Sequence, residues 1–356
     1  MPEIVGKFSI LGTSLPSLDA HVAHLSHLTN PKAARELLAG KHGMTASDSR
    51  ATAPLLSAHI RQALDFHRDS VSASDSTRPV LQYYCYLNLA VAVILAYRPV
   101  NYNRYRQHGV EDQTHSLASV TLSSKLLRVK RGAVPLFHSI ISDIALEGVS
   151  FRLGQTLSGF RMVSSELQDF YHKKSEVISV HDKVVKDNGK WFAEFCFTCF
   201  RDQSARALSR RRIERTIPTL GDEYVFERID ETTLVYRSSI SWTTKLKATS
   251  HQRKHGLKLI NFGGHELVGE HPDHTSYFWR GLANYKHLPT LTCVLLTSFA
   301  FASISRYRPV LVASIANSPI QLLHSVFMLE ADSVFVPAVR NLLYREETFV
   351  VQNTFT

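Results

Sequence analysis

The stretch Leu81–Gly109, LQYYCYLNLAVAVILAYRPVNYNRYRQHG, decides how the rest of the chain is organised. Apolar residues recur at helical spacing from Tyr83 to Leu95, and the opposite side of this run is also largely apolar. A helix that is apolar on both sides is typical of a protein core, and this run is at the short limit of a membrane span. Because the residue before a proline disfavours the helical conformation, the helix should end ahead of Pro99.

Length and composition are those of a folded protein with two or three domains. The 356 residues are 44% hydrophobic and 20% charged, which excludes a disordered chain. The N-terminal stretch MPEIVGKFSILG lacks a basic segment followed by a long apolar one, so we expect no signal peptide. Four cysteines without framework spacing are typical of a reducing compartment. We therefore expect a cytoplasmic protein that does not enter a membrane.

Three segments differ in the period of their apolar residues. Residues 1–173 and 261–356 have helical periods, whereas residues 174–260 alternate like strands and contain two hairpin patterns. The first hairpin turns at Lys186-Asp187-Asn188-Gly189. We expect an α+β fold in which an N-terminal helical domain and a central β-hairpin-rich module are followed by a C-terminal helical region. This last region should pack back on the first, because the apolar helices of both need partners.

Prolines and polar stretches predict where the helices begin. A helix is expected to open at Pro31, and residues 44–53 are expected to form a polar loop before a helix that opens at Pro54. In the C-terminal region, Pro319 and Pro337 are each expected to open a separate helix. The last residues, 348–356, are expected to form a terminal strand.

Four stretches resemble a known family in their order and spacing. They are QALDFHRDS (62–70), YYCYLNLAVAVIL (83–95), His108-Gly109 and SRYRP (305–309). Together they resemble the YaaC-like family. The resemblance implies an intracellular bacterial or archaeal protein and assigns no reaction.

Residues 54–115 are also similar to HEPN-type helical domains, through a helix with paired tyrosines, a small-residue apolar run, a loop and a histidine. Many members of that superfamily are ribonucleases or RNA binders, often dimeric and often part of toxin or phage-defence systems. The resemblance implies an arginine that stabilises phosphate charge and a histidine that transfers the proton. Here Arg104 and His108 are separated by only three residues, and Arg106 is closer still, which departs from the four-to-six spacing of the superfamily.

The loop before His108 alternates aromatic and basic residues. Tyr102 and Tyr105 offer stacking faces, and Arg104 and Arg106 offer guanidinium groups, which is what single-stranded nucleic-acid surfaces require. The alternative is a solvated basic loop whose tyrosines pack on the protein. The net charge of +10 favours a polyanionic partner.

Two further segments are candidates for ligand binding. The densest basic run, RALSRRRIER, includes Arg210, Arg211 and Arg212, and it is either a polyanion contact or an exposed connector. The second segment carries histidines beside carboxylates, which are ligands for zinc or manganese, but its glycine and proline breaks favour a loop and we expect no metal. The histidines concerned are His251, His255, His271 and His274.

Three functions remain open. The favoured one is an RNA- or polyanion-binding protein of a bacterial defence or stress-response system, whose surface includes Tyr102 to His108 with Arg306 and Arg308 adjoining. The second is a metal-independent endoribonuclease in which His108 is the general acid/base and Arg104 or Arg106 stabilises the phosphorane. The third is an oligomerising scaffold for an acidic protein partner. We expect no cofactor, and we expect a homo-oligomer.

Overall fold

The computed structural model describes residues 9–10, 17–98, 104–114, 121–142, 145–172, 177–199, 210–216, 218–228, 233–251, 267–268, 275–279, 288–316, 318–345 and 348–349. The chain divides into two compact units. The first combines Met1–Leu157 with Leu291–Thr356, and the second is Ser158–Thr290. Compared with the boundaries expected from the sequence, the second unit begins before residue 174 and extends beyond residue 260.

The described residues form twelve named helices and eleven named strands, numbered in chain order. The helices are α1 (Ser17–His27), α2 (Pro31–His42), α3 (Ala46–Ser72), α4 (Arg78–Tyr97), α5 (Ala133–Ile141), α6 (Leu153–Leu157), α7 (Arg161–Tyr171), α8 (Arg210–Thr216), α9 (Pro218–Glu223), α10 (Thr290–Tyr307), α11 (Pro309–Ile315) and α12 (Pro319–Tyr344). The strands are β1 (Ser9–Ile10), β2 (Val110–Asp112), β3 (Leu126–Val129), β4 (Ser150–Arg152), β5 (Val177–Asp187), β6 (Lys190–Cys199), β7 (Tyr224–Arg228), β8 (Thr233–Ser238), β9 (Leu267–Val268), β10 (Thr275–Trp279) and β11 (Thr348–Phe349).

Helix α4 is the core of the first unit. Every residue from Cys85 to Ala96 is buried, and α3, α5 and α12 pack against it. The helix ends at Tyr97, as predicted from Pro99. The prediction of a core helix is confirmed, because this run is buried on both of its sides.

The N-terminal and C-terminal helical parts pack together, as expected. The Tyr86 hydroxyl on α4 donates to the Asp332 carboxylate on α12 at 2.7 Å, and the Tyr97 hydroxyl donates to the carbonyl of Leu342 at 2.9 Å. Helix α1 also packs along α12. At the far ends of the chain, β11 pairs in parallel with β1, so a terminal strand is present at Thr348–Phe349, whereas residues 350–356 lie outside the described part.

Two prolines lie inside helices that were expected to begin at them. Helix α3 begins at Ala46 rather than Pro54, because the Thr45 hydroxyl caps it by accepting from the Asp48 amide at 3.1 Å. Residues 46–53, which were expected to lie in a loop, are therefore helical, and only residues 44 and 45 lie outside the helix. Helix α12 likewise continues through Pro337, where a proline removes one backbone hydrogen bond. The buried residues around Pro337 hold the helix together, and they include Phe335, Val336 and Val339.

Two of the described helices, α4 and α12, are long and apolar enough to cross a bilayer by length and composition alone. The most apolar window is 72% buried inside the protein in α4 and 50% buried in α12. The core helices of a folded protein are buried in the same way, so the length and composition of α4 and α12 are weak support for a membrane span.

The second unit contains a six-stranded sheet in the order β7-β8-β6-β5-β10-β9, and all of its neighbouring strands are antiparallel. Both predicted hairpins are confirmed. Asn188 and Gly189 have φ angles of 46° and 78°, as the two-residue turn between β5 and β6 requires. One face of the sheet forms an aromatic core with Ile213 of α8 and Leu220 of α9, and the strands contribute Phe195, Phe197, Tyr224, Leu234 and Tyr236.

Candidate functional site

A pocket of about 680 Å³ lies in the first unit, between α4, α10 and the loops that flank β2 and precede α5. This volume is within the range of small-molecule sites. The lining is unusually rich in two kinds of side chain. The cationic ones are Arg106, Lys130, Arg131, Arg306 and Arg308, and the aromatic ones are Tyr83, Tyr84, His108, Phe299 and Tyr307.

Two glycines fix the loop that carries His108. The Gly132 Cα approaches the backbone of residues 107–109 so closely that a Cβ there would lie 2.5 Å from the carbonyl oxygen of Gln107. Gly109 itself has a φ of 80°, which side chains rarely adopt. The amides of Ala133 and Val134, at the start of α5, donate to the carbonyls of Gln107 and His108. The position of His108 is therefore set by backbone contacts on both of its sides.

His108 is surrounded by aromatic rings. Its Nδ1 atom and the Tyr83 hydroxyl share a hydrogen bond of 2.9 Å, and the rings of Tyr84 and Phe299 meet the imidazole edge-on at 5.8 and 6.3 Å between centroids. Burial, and then the charge of Arg306, lowers the pKa of His108. Burial raises the pKa of Tyr83 well above its usual value, so its hydroxyl keeps its proton. Near pH 7 His108 is therefore a neutral imidazole with one donor and one acceptor nitrogen.

Asp112 is a carboxylate in the pocket lining, and a buried lysine neutralises it. Lys125 is fully buried and pairs with Oδ2 of Asp112, which also accepts from the Ser303 hydroxyl at 2.7 Å. Thr114 donates to Oδ1 from its amide and its hydroxyl at 3.0 and 2.6 Å. Burial would raise the pKa of Asp112, but hydrogen bonds from Lys125, Thr114 and Ser303 together lower it to about 2. The pair adds no net charge to the pocket.

Three arginines in the lining have no carboxylate partner within the part of the chain that the structure describes. They are Arg106, Arg306 and Arg308. Arg306 donates to the Tyr84 hydroxyl at 2.6 Å, and Arg308 donates to the carbonyl of Thr114 at 2.7 Å. Both contacts orient a guanidinium group without cancelling its charge. The two other cations are compensated, because Lys130 pairs with Glu111 at 3.2 Å and Arg131 with Glu147 at 3.6 Å.

The structure therefore brings together His108, Arg106, Arg306 and Arg308 from the set predicted by sequence. Arg104 is exposed and does not line the pocket. Tyr105 is buried and meets His59 edge-on at 6.0 Å, so its ring is not exposed for stacking. Tyr102 lies outside the described residues.

The remaining predicted residues belong to the second unit. Arg210 pairs with Glu214 at 2.6 Å and lies 5.0 Å above the Phe226 ring, so its charge is already matched. Arg211 is exposed, and the side chain of Arg212 is outside the described part. His251 packs against Trp242 with 4.7 Å between ring centroids, while His255, His271 and His274 lie outside the described residues. Within the residues described, no three His, Cys, Asp or Glu side chains cluster as metal ligands do.

Much of the pocket wall, and of the layer that supports it, carries no signal in the sequence. Lys125 lies in a stretch of mixed period, and nothing local indicates that it is buried against Asp112. Phe299 and Ser303 lie in an apolar run that predicts only a core helix. The paired tyrosines Tyr83 and Tyr84 were a visible signal. Both rings contact His108, the Tyr83 hydroxyl hydrogen-bonds to it, and the Tyr84 hydroxyl accepts from Arg306.

A family model described as YaaC-like Protein matches residues 26–328, which is most of the chain. This match covers the stretches on which the resemblance to the YaaC-like family rested, whereas the resemblance to HEPN-type domains is not shown. No curated protein matches the chain, and no solved structure matches it. The chain belongs to the YaaC-like family.

Proposed function

We propose that the chain binds single-stranded RNA, or a polyanion of the same charge pattern, by its phosphates at the basic pocket. The observation that supports this function is the convergence of Arg106, Arg306 and Arg308 on one cavity without carboxylate partners among the described residues. Guanidinium groups present a planar fork of donors that matches a phosphate, and bonds of this charge-assisted kind are the strong ones. Three neighbouring arginines repel one another, so their arrangement is unfavourable unless an anion or solvent faces them.

Aromatic side chains at the same cavity support a nucleic acid over a simple inorganic anion. Tyr307 is 66% exposed and Tyr84 is half-buried, so both can present a ring surface to a base. Arg306 lies 5.2 Å from the Tyr307 ring and donates to the Tyr84 hydroxyl. One guanidinium group therefore lies beside two rings, which is the combination that single-stranded nucleic-acid sites use.

The test is fluorescence anisotropy of a labelled single-stranded RNA with the full chain in EDTA, over a series of salt concentrations. Arg306→Gln and Arg106→Gln should each weaken binding about tenfold, because a hydrogen bond to a charged group contributes about 1.5–3 kcal/mol. Arg50→Gln is the matched control, since Arg50 is an exposed arginine of α3 that does not line the pocket. Equal affinity in all four proteins would overturn the proposal. Binding to polyglutamate but not to RNA would indicate an acidic protein partner instead.

A second function, metal-independent RNA cleavage, is favoured by the environment of His108. This histidine is neutral near pH 7 and the charge of Arg306 acts on it, so a proton acceptor and a cation lie at one cavity. A neutral imidazole can take the proton from a ribose 2′-hydroxyl as its oxygen attacks the adjacent phosphorus, and the arginine can stabilise the phosphorane that forms. The imidazolium then returns the proton to the 5′-oxygen as the P–O5′ bond breaks. The pocket favours Arg306 and Arg106 for this role over Arg104, which lies outside its lining.

Cleavage is tested on the same RNA in EDTA by gel electrophoresis. If the chain is a ribonuclease, His108→Ala should abolish cleavage while leaving RNA binding within a fewfold of the wild type. His27→Ala is the control, because His27 is an exposed histidine of α1. RNA binding without any cleavage by the wild-type protein would remove the enzyme from consideration and leave the binding function intact.

A further inference from the structure

We infer that the pocket holds a terminal phosphomonoester of the RNA strand, not an internal stretch of its backbone. This inference rests on the proposed function, which it narrows to one part of the RNA. It follows from three properties of the pocket: a floor made from the protein core, the number of unmatched charges in the lining, and an exposed aromatic ring beside them.

The floor of the pocket belongs to the two core helices α4 and α10. Tyr83, Ala302 and Ser303 line the pocket, yet each is 5% exposed or less. The rings of Tyr83 and Phe299 meet edge-on at 5.5 Å, so the two helices are in direct contact there. A strand could continue through this floor only by separating core side chains, which are close-packed. A phosphate that contacts this floor therefore has no chain continuing beneath it, which favours the end of a strand over its interior.

The net positive charge of the pocket lining is large enough to balance a ligand with more than one negative charge. Asp112 pairs with Lys125, Glu111 with Lys130 and Glu147 with Arg131, which leaves three arginines of the lining without a carboxylate partner among the described residues. An internal phosphodiester carries one negative charge, whereas a phosphomonoester carries about 1.5–2 at pH 7. The monoester also presents three terminal oxygens, and the diester only two. Three guanidinium groups are thus better satisfied by the end of a strand than by its interior.

The same chemistry has more than one source, since 5′-phosphorylated RNA, 3′-phosphorylated RNA and free nucleotides all carry a phosphomonoester. The exposed Tyr307 at the pocket favours a strand end, because a first base can stack there while the phosphate contacts the arginines. A free nucleotide would make the phosphate contacts but would lack the rest of the strand. Inorganic phosphate would make the phosphate contacts alone.

The experiment compares one short RNA sequence with a 5′-phosphate, with a 3′-phosphate and with hydroxyl groups at both ends, by competition against a labelled strand bound to the full chain. We expect one of the phosphorylated strands to compete about tenfold better than the hydroxyl strand, because it adds at least one charge-assisted hydrogen bond. Adenosine monophosphate and inorganic phosphate should compete far more weakly than that strand. In Arg306→Gln the preference should disappear, and in Arg50→Gln it should remain.

Each outcome has a separate meaning. If all three strands compete equally and binding is still lost in Arg306→Gln, the RNA-binding function stands and the inference of a strand end is wrong. If adenosine monophosphate competes as well as the preferred strand, the pocket is a nucleotide site and the inference is again wrong. If no RNA binds, the proposed function fails together with it. Only a phosphate-dependent preference that Arg306→Gln removes supports the inference.

Discussion

Replacing Lys125 by methionine should destabilise the first unit and weaken anion binding together. Lys125 is fully buried, and its ammonium group faces Asp112, whose side chain is only 16% exposed. Methionine retains much of the apolar stem but leaves the Asp112 carboxylate in the pocket wall without its cation. Removing one partner of a buried ion pair lowers the free energy of unfolding by about 3–5 kcal/mol. The orphaned negative charge should also repel an anionic ligand.

Urea unfolding followed by circular dichroism measures the stability, and competition with RNA measures the affinity. Lys130→Met is the matched control for stability, because Lys130 and its partner Glu111 are both about half exposed, and exposed pairs contribute about 0–1 kcal/mol. The double variant Lys125→Met/Asp112→Asn should be more stable than Lys125→Met alone, since no buried charge is left unpaired. If Lys125→Met lowers the free energy of unfolding by less than about 1 kcal/mol, Lys125 does not neutralise Asp112 in the folded protein.

Three further predictions concern other groups of the first unit. The pKa of Asp112 is lowered from 3.8 to about 2, so its ionised form adds about 2 kcal/mol to the free energy of unfolding. This contribution is complete above pH 4 and is lost as the pH falls towards 2. In acid unfolding followed by circular dichroism, Asp112→Asn should not show this loss of stability between pH 4 and pH 2. Burial raises the pKa of Asp332. A hydrogen bond from Tyr86, the charge of His67 and a hydrogen bond from Gln82 lower this pKa, but the effect of burial is larger, so the ionised carboxylate destabilises the fold at neutral pH. Asp332→Asn should therefore raise the free energy of unfolding at pH 7 and raise it less in acid, where the wild-type group is protonated; equal stability at pH 7 would contradict this. Gly132→Ala places a Cβ 2.5 Å from the Gln107 carbonyl and should destabilise the protein by about 2 kcal/mol or more, whereas Gly40→Ala, with open space around it, should be neutral or stabilising in a thermal melt.

The sequence predicts elements whose causes are local. The all-round apolar run of α4 is buried, and Asn188-Gly189 forms the hairpin turn, because periodicity and turn chemistry act over a few residues. The same local reasoning was wrong at Pro54 and Pro337. There the burial of neighbouring residues in long helices outweighs the loss of one hydrogen bond, and burial is a tertiary property.

The candidate site was only partly predictable for the same reason. His108 and Arg106 were found because they are close in sequence, and Arg306 and Arg308 because they stand out before the last helices. Lys125 and Ser303 could not be placed beside Asp112, since their contact depends on how β2, β3 and α10 come together. A local sequence pattern also does not determine how exposed a residue is. Tyr105 alternates with arginines and could be expected at the surface, but it is buried.

The salt dependence of RNA binding in Arg306→Gln tests phosphate binding at the pocket most directly. For a single strand, each phosphate contact contributes about 0.7 to the slope of log K against log salt concentration. If Arg306 contacts a phosphate, Arg306→Gln should weaken binding and lower that slope by about 0.7, while Arg50→Gln should keep the wild-type slope. An unchanged affinity and slope in Arg306→Gln would show that the pocket does not hold the phosphate.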